Sequence, residues 1–189
     1  MERSYSHLLL FLALVSLKSF NLLCSAADPT DGFTPVPLTE ANFVLQKPYN
    51  VPLNERYSYE DGIRHLWVYA TDKPHDPSSN TQPRTEVRIT GLDYSSGVWQ
   101  FEGYGFVPNG TSGVTVAQIH GASHGATTLI LRIYDGNMRL TVFIDGEERY
   151  STHDQGPGDL YFKCGVYAAP RNISYYMESR WRDIKIYKK

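Results

Sequence analysis

Hydrophobic and polar residues alternate in short runs along most of this chain. In RTEVRI, Thr85, Val87 and Ile89 fall on one side of an extended segment, and Arg84, Glu86 and Arg88 on the other. The same two-residue period runs through HLWVYAT, GVWQFEGYGFV, GVTVAQIHGA, TTLILRIYD, RLTVFIDG, YFKCGVYAA and SRWRDIKIY. These segments are rich in β-branched and aromatic residues and are separated by glycine-containing turns. Asp135-Gly136 and Asp145-Gly146 are the clearest turn dipeptides. Helical character is confined to a short stretch near LTEANFVLQ, and prolines and serines between Lys73 and Pro83 mark a long loop. Many evenly spaced strands with turn punctuation predict an all-β fold, a jelly-roll β-sandwich.

The alternation also assigns faces. Gln118 and His120 share one side of VTVAQIHG, and Tyr161, Lys163, Gly165 and Tyr167 share one side of YFKCGVY. Cys164 lies on the apolar side, which favours a buried, inert thiol. A solvated sheet exterior carries mixed Lys, Glu, Ser and Thr. These three strands instead offer Arg, Gln, His, Lys and Tyr, with Gly165 leaving room beside them. Such a set suits an anionic, ring-shaped ligand.

The first 27 residues follow a different rule. Arg3, an apolar run from Leu8 to Leu17 and small residues Ser25 to Ala27 have the layout of a secretory signal peptide (1–27), too short to span a bilayer comfortably. Removing it leaves about 160 residues, one domain (28–189), with no later segment apolar enough to cross a membrane. Cys24 departs with the leader, so Cys164 has no intrachain disulfide partner. Asn109-Gly-Thr and Asn172-Ile-Ser are N-glycosylation sequons, in keeping with the secretory pathway and an extracellular, cell-wall or vacuolar destination. A net charge of −2 and a pI near 6.3, with no basic cluster, exclude a nucleic-acid partner. The expected state is a monomer.

Arg, Gln, His and Tyr together suffice for β-elimination on a uronate glycan. Cationic and amide donors neutralise the carboxylate, a neutral His removes the C5 proton, and a Tyr hydroxyl protonates the departing O4. No cofactor and no metal is required. A zinc site on His120 and His124 lacks an evident carboxylate partner, and no Gly-x-Ser-x-Gly elbow, phosphate loop or His-Glu-x-x-His occurs. Glu86 and Glu102 offer a paired-carboxylate alternative. Glu86, however, sits between two arginines, where an ion-paired, supporting role is simpler.

RTEVRI, QIH and YFKCGVY, in this order, resemble the three signature motifs of polysaccharide lyase family seven, the alginate lyases: R-S/T-E-L/V-R, Q-I/V-H and Y-F-K-A-G-x-Y. The flanking DPTDGFTPVPLTEANFVLQKPYNVP, YSSGVWQFEGYGFVPNGTSG and YMESRWRDIKI are similar to a plant branch that includes proteins called citrate-binding proteins. The resemblance implies a concanavalin A-like jelly roll whose concave sheet forms the ligand groove. It makes Arg84, Gln118, His120 and Tyr167 the catalytic set: carboxylate-binding arginine, its amide partner, base and acid. Glu86, Arg88, Tyr161 and Lys163 become the substrate-binding residues around them. Two departures stand out. Ala168, Ala169 and Pro170 replace the usual Gln or Asn after the last tyrosine, and DGNMRLTVFIDGEERY is shortened near 138–142. Two functions follow as expectations. One is a secreted lyase of 4-linked uronate glycans; the other is a non-catalytic protein holding citrate or a cell-wall glycan in the same groove. The partner is accordingly an acidic polysaccharide or a small polycarboxylate.

Overall fold

The computed structural model describes residues 28–121, 127–134 and 158–189, and the strand segments 143–144 and 147–148. The leader, His124, both Asp-Gly turns and the shortened stretch near 138–142 lie outside the described residues. Twelve strands are described: β1 (Thr34–Val36), β2 (Phe43–Gln46), β3 (Tyr57–Glu60), β4 (Ile63–Tyr69), β5 (Arg84–Ile89), β6 (Trp99–Phe106), β7 (Val114–Gly121), β8 (Thr127–Ile133), β9 (Phe143–Ile144), β10 (Glu147–Glu148), β11 (Leu160–Tyr167) and β12 (Tyr176–Lys188). All their pairings are antiparallel. One sheet runs β1-β12-β4-β3, with β6 also paired to β12; the other runs β2-β5-β11-β7-β8. This is the jelly-roll sandwich that the alternation predicts. Near LTEANFVLQ the helical expectation is met only by a 3-10 turn, Glu40–Asn42; Phe43 onward is strand, because it adds an edge to β5.

The core lies between the sheets. Leu66, Val68, Met177 and Trp181 from one layer meet Val87, Val114, Val116, Cys164 and Val166 from the other. Cys164 is wholly buried, and burial pushes its thiol well above the ordinary range, so it is an inert core residue. Two buried hydroxyls tie the layers together. Thr85 Oγ1 donates to the Trp67 carbonyl at 2.8 Å, and Ser179 Oγ to the Gly165 carbonyl at 2.8 Å. In β12 the register slips between Arg182 and Lys185, where Asp183 takes a left-handed φ of 52°. That bulge reverses the parity, so Trp181 and Ile186 both point inward.

Candidate functional site

Strand register brings the three polar faces onto one surface. Across β5 and β11, Lys163 sits opposite Arg88, Gly165 opposite Glu86 and Tyr167 opposite Arg84. Across β11 and β7, Tyr161 sits opposite His120, Lys163 opposite Gln118 and Tyr167 opposite Thr115. Directly opposed residues share a face. All eight predicted site residues therefore occupy one side of β5-β11-β7.

Glu86 organises this surface from below. It is fully buried and accepts from Gln118 Nε2 at 2.5 Å, from Lys163 Nζ at 2.7 Å and from Arg84 at 3.4 Å. Lys163 is only 2% exposed, and burial is the first cause of its depressed pKa. Both residues were expected to bind substrate. Their burial corrects that: a carboxylate so deep needs an ammonium beside it, and the pair serves as a foundation that aims Arg84 and Gln118. The simpler ion-pair reading of Glu86 also changes in detail. Arg88 bonds to Asp93 instead, a partner the motif does not contain. Gln118 is itself 7% exposed, and one amide hydrogen is committed to Glu86.

The upper layer is aromatic and cationic. Arg84 stacks over the Tyr167 ring at 4.5 Å, and Arg88 over the Tyr161 ring at 3.8 Å. Tyr161 also stacks on His120, with ring centroids 5.2 Å apart. His120 Nδ1 lies 2.7 Å from the Gly121 carbonyl. A carbonyl only accepts, so Nδ1 carries the proton and Nε2 keeps its lone pair. Burial, with Lys163 and Arg84 nearby, holds the His120 pKa below the ordinary imidazole value. The ring is therefore neutral at pH 7.

His120 and Tyr167 do not touch. Tyr167 lies six residues beyond Tyr161 along β11, up to ~20 Å of strand at ~3.3 Å per residue, somewhat less with the bulge there. Any joint action needs a ligand between them. Gly165 departs from expectation as well. Its φ is +140°, and a Cβ there would stand 2.5 Å from the Thr85 carbonyl oxygen and 2.7 Å from Glu86 Cα. Glycine is required by the close approach of β5, and leaving room above the sheet is not its role.

Three residues on this face were not singled out from the sequence. Gln46 pairs with Glu86 from β2, extending the polar row by one strand. Arg132, on β8, is exposed and donates to Thr115 Oγ1 at 3.4 Å, beyond Tyr167. His75 stands in the 73–83 loop, half-buried and within reach of the charges of Arg84, Lys163 and Glu86. Gln46 in FVLQ and Arg132 in LILRI continue the alternation, which could have identified them. No period marks a loop histidine. Glu102 pairs with Lys185 on the opposite sheet, away from Glu86, which removes the paired-carboxylate alternative. Asn109 and Asn172 are exposed on neighbouring turns, joined where Ser174 Oγ donates to the Gly110 carbonyl at 2.9 Å. Among the described residues no helix is long and apolar enough to cross a membrane.

A jelly-roll sandwich with arginines, a neutral histidine and tyrosines on one sheet defines the class. The comparisons make it specific. A family model described as alginate lyase matches residues 36–139. A citrate-binding protein of Hevea brasiliensis is 54% identical over 205 residues, covering 94% of this chain and 86% of that protein. Alginate lyase AlgAT5 from polysaccharide lyase family 7 shares the fold, with a TM-score of 0.53 at 15% identity over 78% of this chain and 95% of its own. The chain belongs to the alginate lyase family, in a branch similar to the citrate-binding protein.

Proposed function

We propose that the polar face of β5-β11-β7 binds 4-linked uronate chains and cleaves them by β-elimination. The observation that carries this reading is the state of His120. Its Nδ1 proton is committed to the Gly121 carbonyl, its Nε2 lone pair meets no partner among the described residues, and burial, with Lys163 and Arg84 nearby, favours the neutral ring. A neutral imidazole adds no positive charge to anion capture, whereas a proton-abstracting site requires the unprotonated Nε2.

In the proposed reaction Arg84 and the uncommitted amide hydrogen of Gln118 neutralise the uronate carboxylate, which acidifies C5–H. His120 Nε2 takes that proton. The C–H pair becomes the C4=C5 double bond, the C4–O4 bond breaks, and its pair leaves on O4, which takes the Tyr167 hydroxyl proton. Histidinium and phenolate then return to their resting states by net proton transfer, and no water is consumed. Base and acid thus have to reach one sugar unit seated between them, the base at its C5–H and the acid at its O4. Tyr161 stacks on His120 and orients it.

A second reading is favoured by the 54% identical relative named a citrate-binding protein: the same face holds a polycarboxylate without turnover. Ultraviolet absorbance of the 4,5-unsaturated product on a panel of polyuronates, measured beside calorimetric titration with citrate, tests both. Product from any polyuronate supports the lyase. Citrate binding that Arg84→Ala abolishes, with no product from any polyuronate, selects the receptor.

A further inference from the structure

Buried polar atoms are normally paired, because an unmet donor or acceptor forfeits its hydration. On β2, β5 and the 73–83 loop, Gln46 Oε1, His75 Nδ1, Arg84 Nε and Arg88 Nε are buried without a hydrogen-bond partner among the described residues; Arg88 turns to Asp93, and the other three share the Glu86 side. They belong together. Gln46 is in register with Glu86, which contacts Arg84, and His75 is near enough to feel Arg84, Glu86 and Lys163. The loop carrying His75 is pinned on both sides. Tyr49 N donates to the Pro74 carbonyl at 3.0 Å, Gln82 N to the Tyr167 hydroxyl at 3.4 Å, and Ala168 N to the Pro83 carbonyl at 2.9 Å.

Arg84 turns one corner, Nη1, to Glu86, while its Nε is unpartnered among the described residues. The Nε side of a guanidinium forms the two-pronged contact with a carboxylate. We propose that His75 is a second ligand-contacting residue at this corner: its Nδ1–H donates to the same ligand carboxylate that Arg84 holds, and the Gln46 amide takes a hydroxyl beside that carboxylate. The site would thus select hydroxyl-bearing carboxylates, a chemistry that uronates and citrate share. The inference rests on the reading that Arg84 binds a ligand carboxylate.

A specific signature follows. In the free protein, burial first and then Arg84 and Lys163 disfavour the imidazolium of His75, while Asp76 and Glu86 oppose them. An arriving carboxylate adds negative charge next to the ring and draws a proton onto it. Binding at about pH 6, where ordinary imidazoles titrate, should therefore take up part of a proton. His120 faces the same cations and would respond similarly, so both must be varied.

The experiment is isothermal titration at about pH 6 with citrate, read for affinity alone because its last carboxyl titrates in this range, and with trigalacturonate, read for affinity and proton uptake, in two buffers of different ionisation enthalpy. The variants are His75→Gln, His120→Gln, Gln46→Ala and Arg84→Ala, each checked for an unchanged melting temperature. Wild type and His120→Gln are expected to show proton uptake. His75→Gln should lose its own share of that uptake and about tenfold in affinity. Gln46→Ala should weaken binding and leave the uptake intact. If His75→Gln and Gln46→Ala match wild type while Arg84→Ala abolishes binding, this corner is not a contact, although the face still binds carboxylates. If wild type binds neither probe, the carboxylate reading fails and this inference with it.

Discussion

Replacing Glu86 with glutamine tests the foundation of the site. The substitution keeps the shape and removes one negative charge, leaving Lys163, 2% exposed, and Arg84, 8% exposed, without their counter-ion. Breaking a buried pair by neutralising one partner costs about 3–5 kcal/mol. For a chain of this size each kcal/mol shifts the melting temperature by roughly 2–4 °C, so the midpoint should fall by roughly 6–20 °C. The effect should also depend on pH. Burial depresses the Lys163 pKa below its ordinary 10.5, so between the folded and ordinary values the unfolded chain binds more protons, and stability rises with pH. Losing Glu86 removes the main interaction that raises that pKa, widening the window downward. The gap between wild type and Glu86→Gln should therefore narrow as pH rises from neutrality towards 10.5. Adding Lys163→Met to Glu86→Gln should recover much of the loss by removing the stranded ammonium. A thermal melt reads the midpoint, and urea melts across that range read the pH dependence. A gap under about 1 kcal/mol at neutral pH, or one that widens with pH, would refute the account.

Three further outcomes follow. Tyr167→Phe should lower turnover by roughly 10²-fold with little change in binding, whereas Tyr161→Phe, which keeps the ring that stacks on His120, should cost under roughly tenfold; kinetics showing the reverse order would move the acid to Tyr161. Because only neutral His120 accepts a proton, and its pKa lies below 6.5, kcat/KM should be level at neutrality and fall only below that value, so an acid limb centred above 6.5 would contradict the His120 assignment. Gly165→Ala should destabilise by about 3 kcal/mol or more, since its φ of +140° and the 2.5 Å approach to the Thr85 oxygen leave no place for a methyl group; a thermal melt like that of wild type would remove the close approach from the argument.

What the sequence disclosed tracks how far each feature is local. Strand faces depend on a two-residue period, so Arg84, Glu86, Arg88, Gln118, His120, Tyr161, Lys163 and Tyr167 were placed on one side of three strands without knowing how the strands pair. Depth was not legible. Glu86 and Lys163 sit on the polar side yet are buried, because Arg84, Gln118 and the neighbouring strands close over them; pairing decides that, and alternation does not record it. The Arg88–Asp93 pair joins a strand to the turn that follows it, outside any motif. His75 depends on the path of an aperiodic loop pinned by backbone bonds to β11 and its neighbours. The bulge in β11 likewise escaped notice, since glycine at 165 reads as empty space until its φ is known.

The layering at Glu86 bears on how the proposed site would both hold carboxylates and cleave beside them. A ligand carboxylate meets a guanidinium already desolvated, stacked on Tyr167 and fixed by a buried counter-charge, so little reorganisation is required when it binds. That preorganisation serves the ground state and the transition state alike, which is the property of a receptor. Catalysis asks for one thing more, a neutral base and a proton donor on opposite sides of the bound unit. His120 and Tyr167 meet that demand only when both side chains reach one 4-linked unit seated between them, since C5–H and O4 belong to the same ring. A small polycarboxylate that engages Arg84 alone would leave the pair idle, whereas a glycan chain lying along the strand would engage both. On this reading the ligand decides whether the same arginine acts in binding or in turnover, and the contrast between citrate and oligouronates of increasing length makes that visible. Binding that strengthens with length, with product only from oligomers long enough to seat a 4-linked unit between the two residues, is the expected pattern; equal turnover of the dimer and of longer chains would show that the separation along β11 is immaterial.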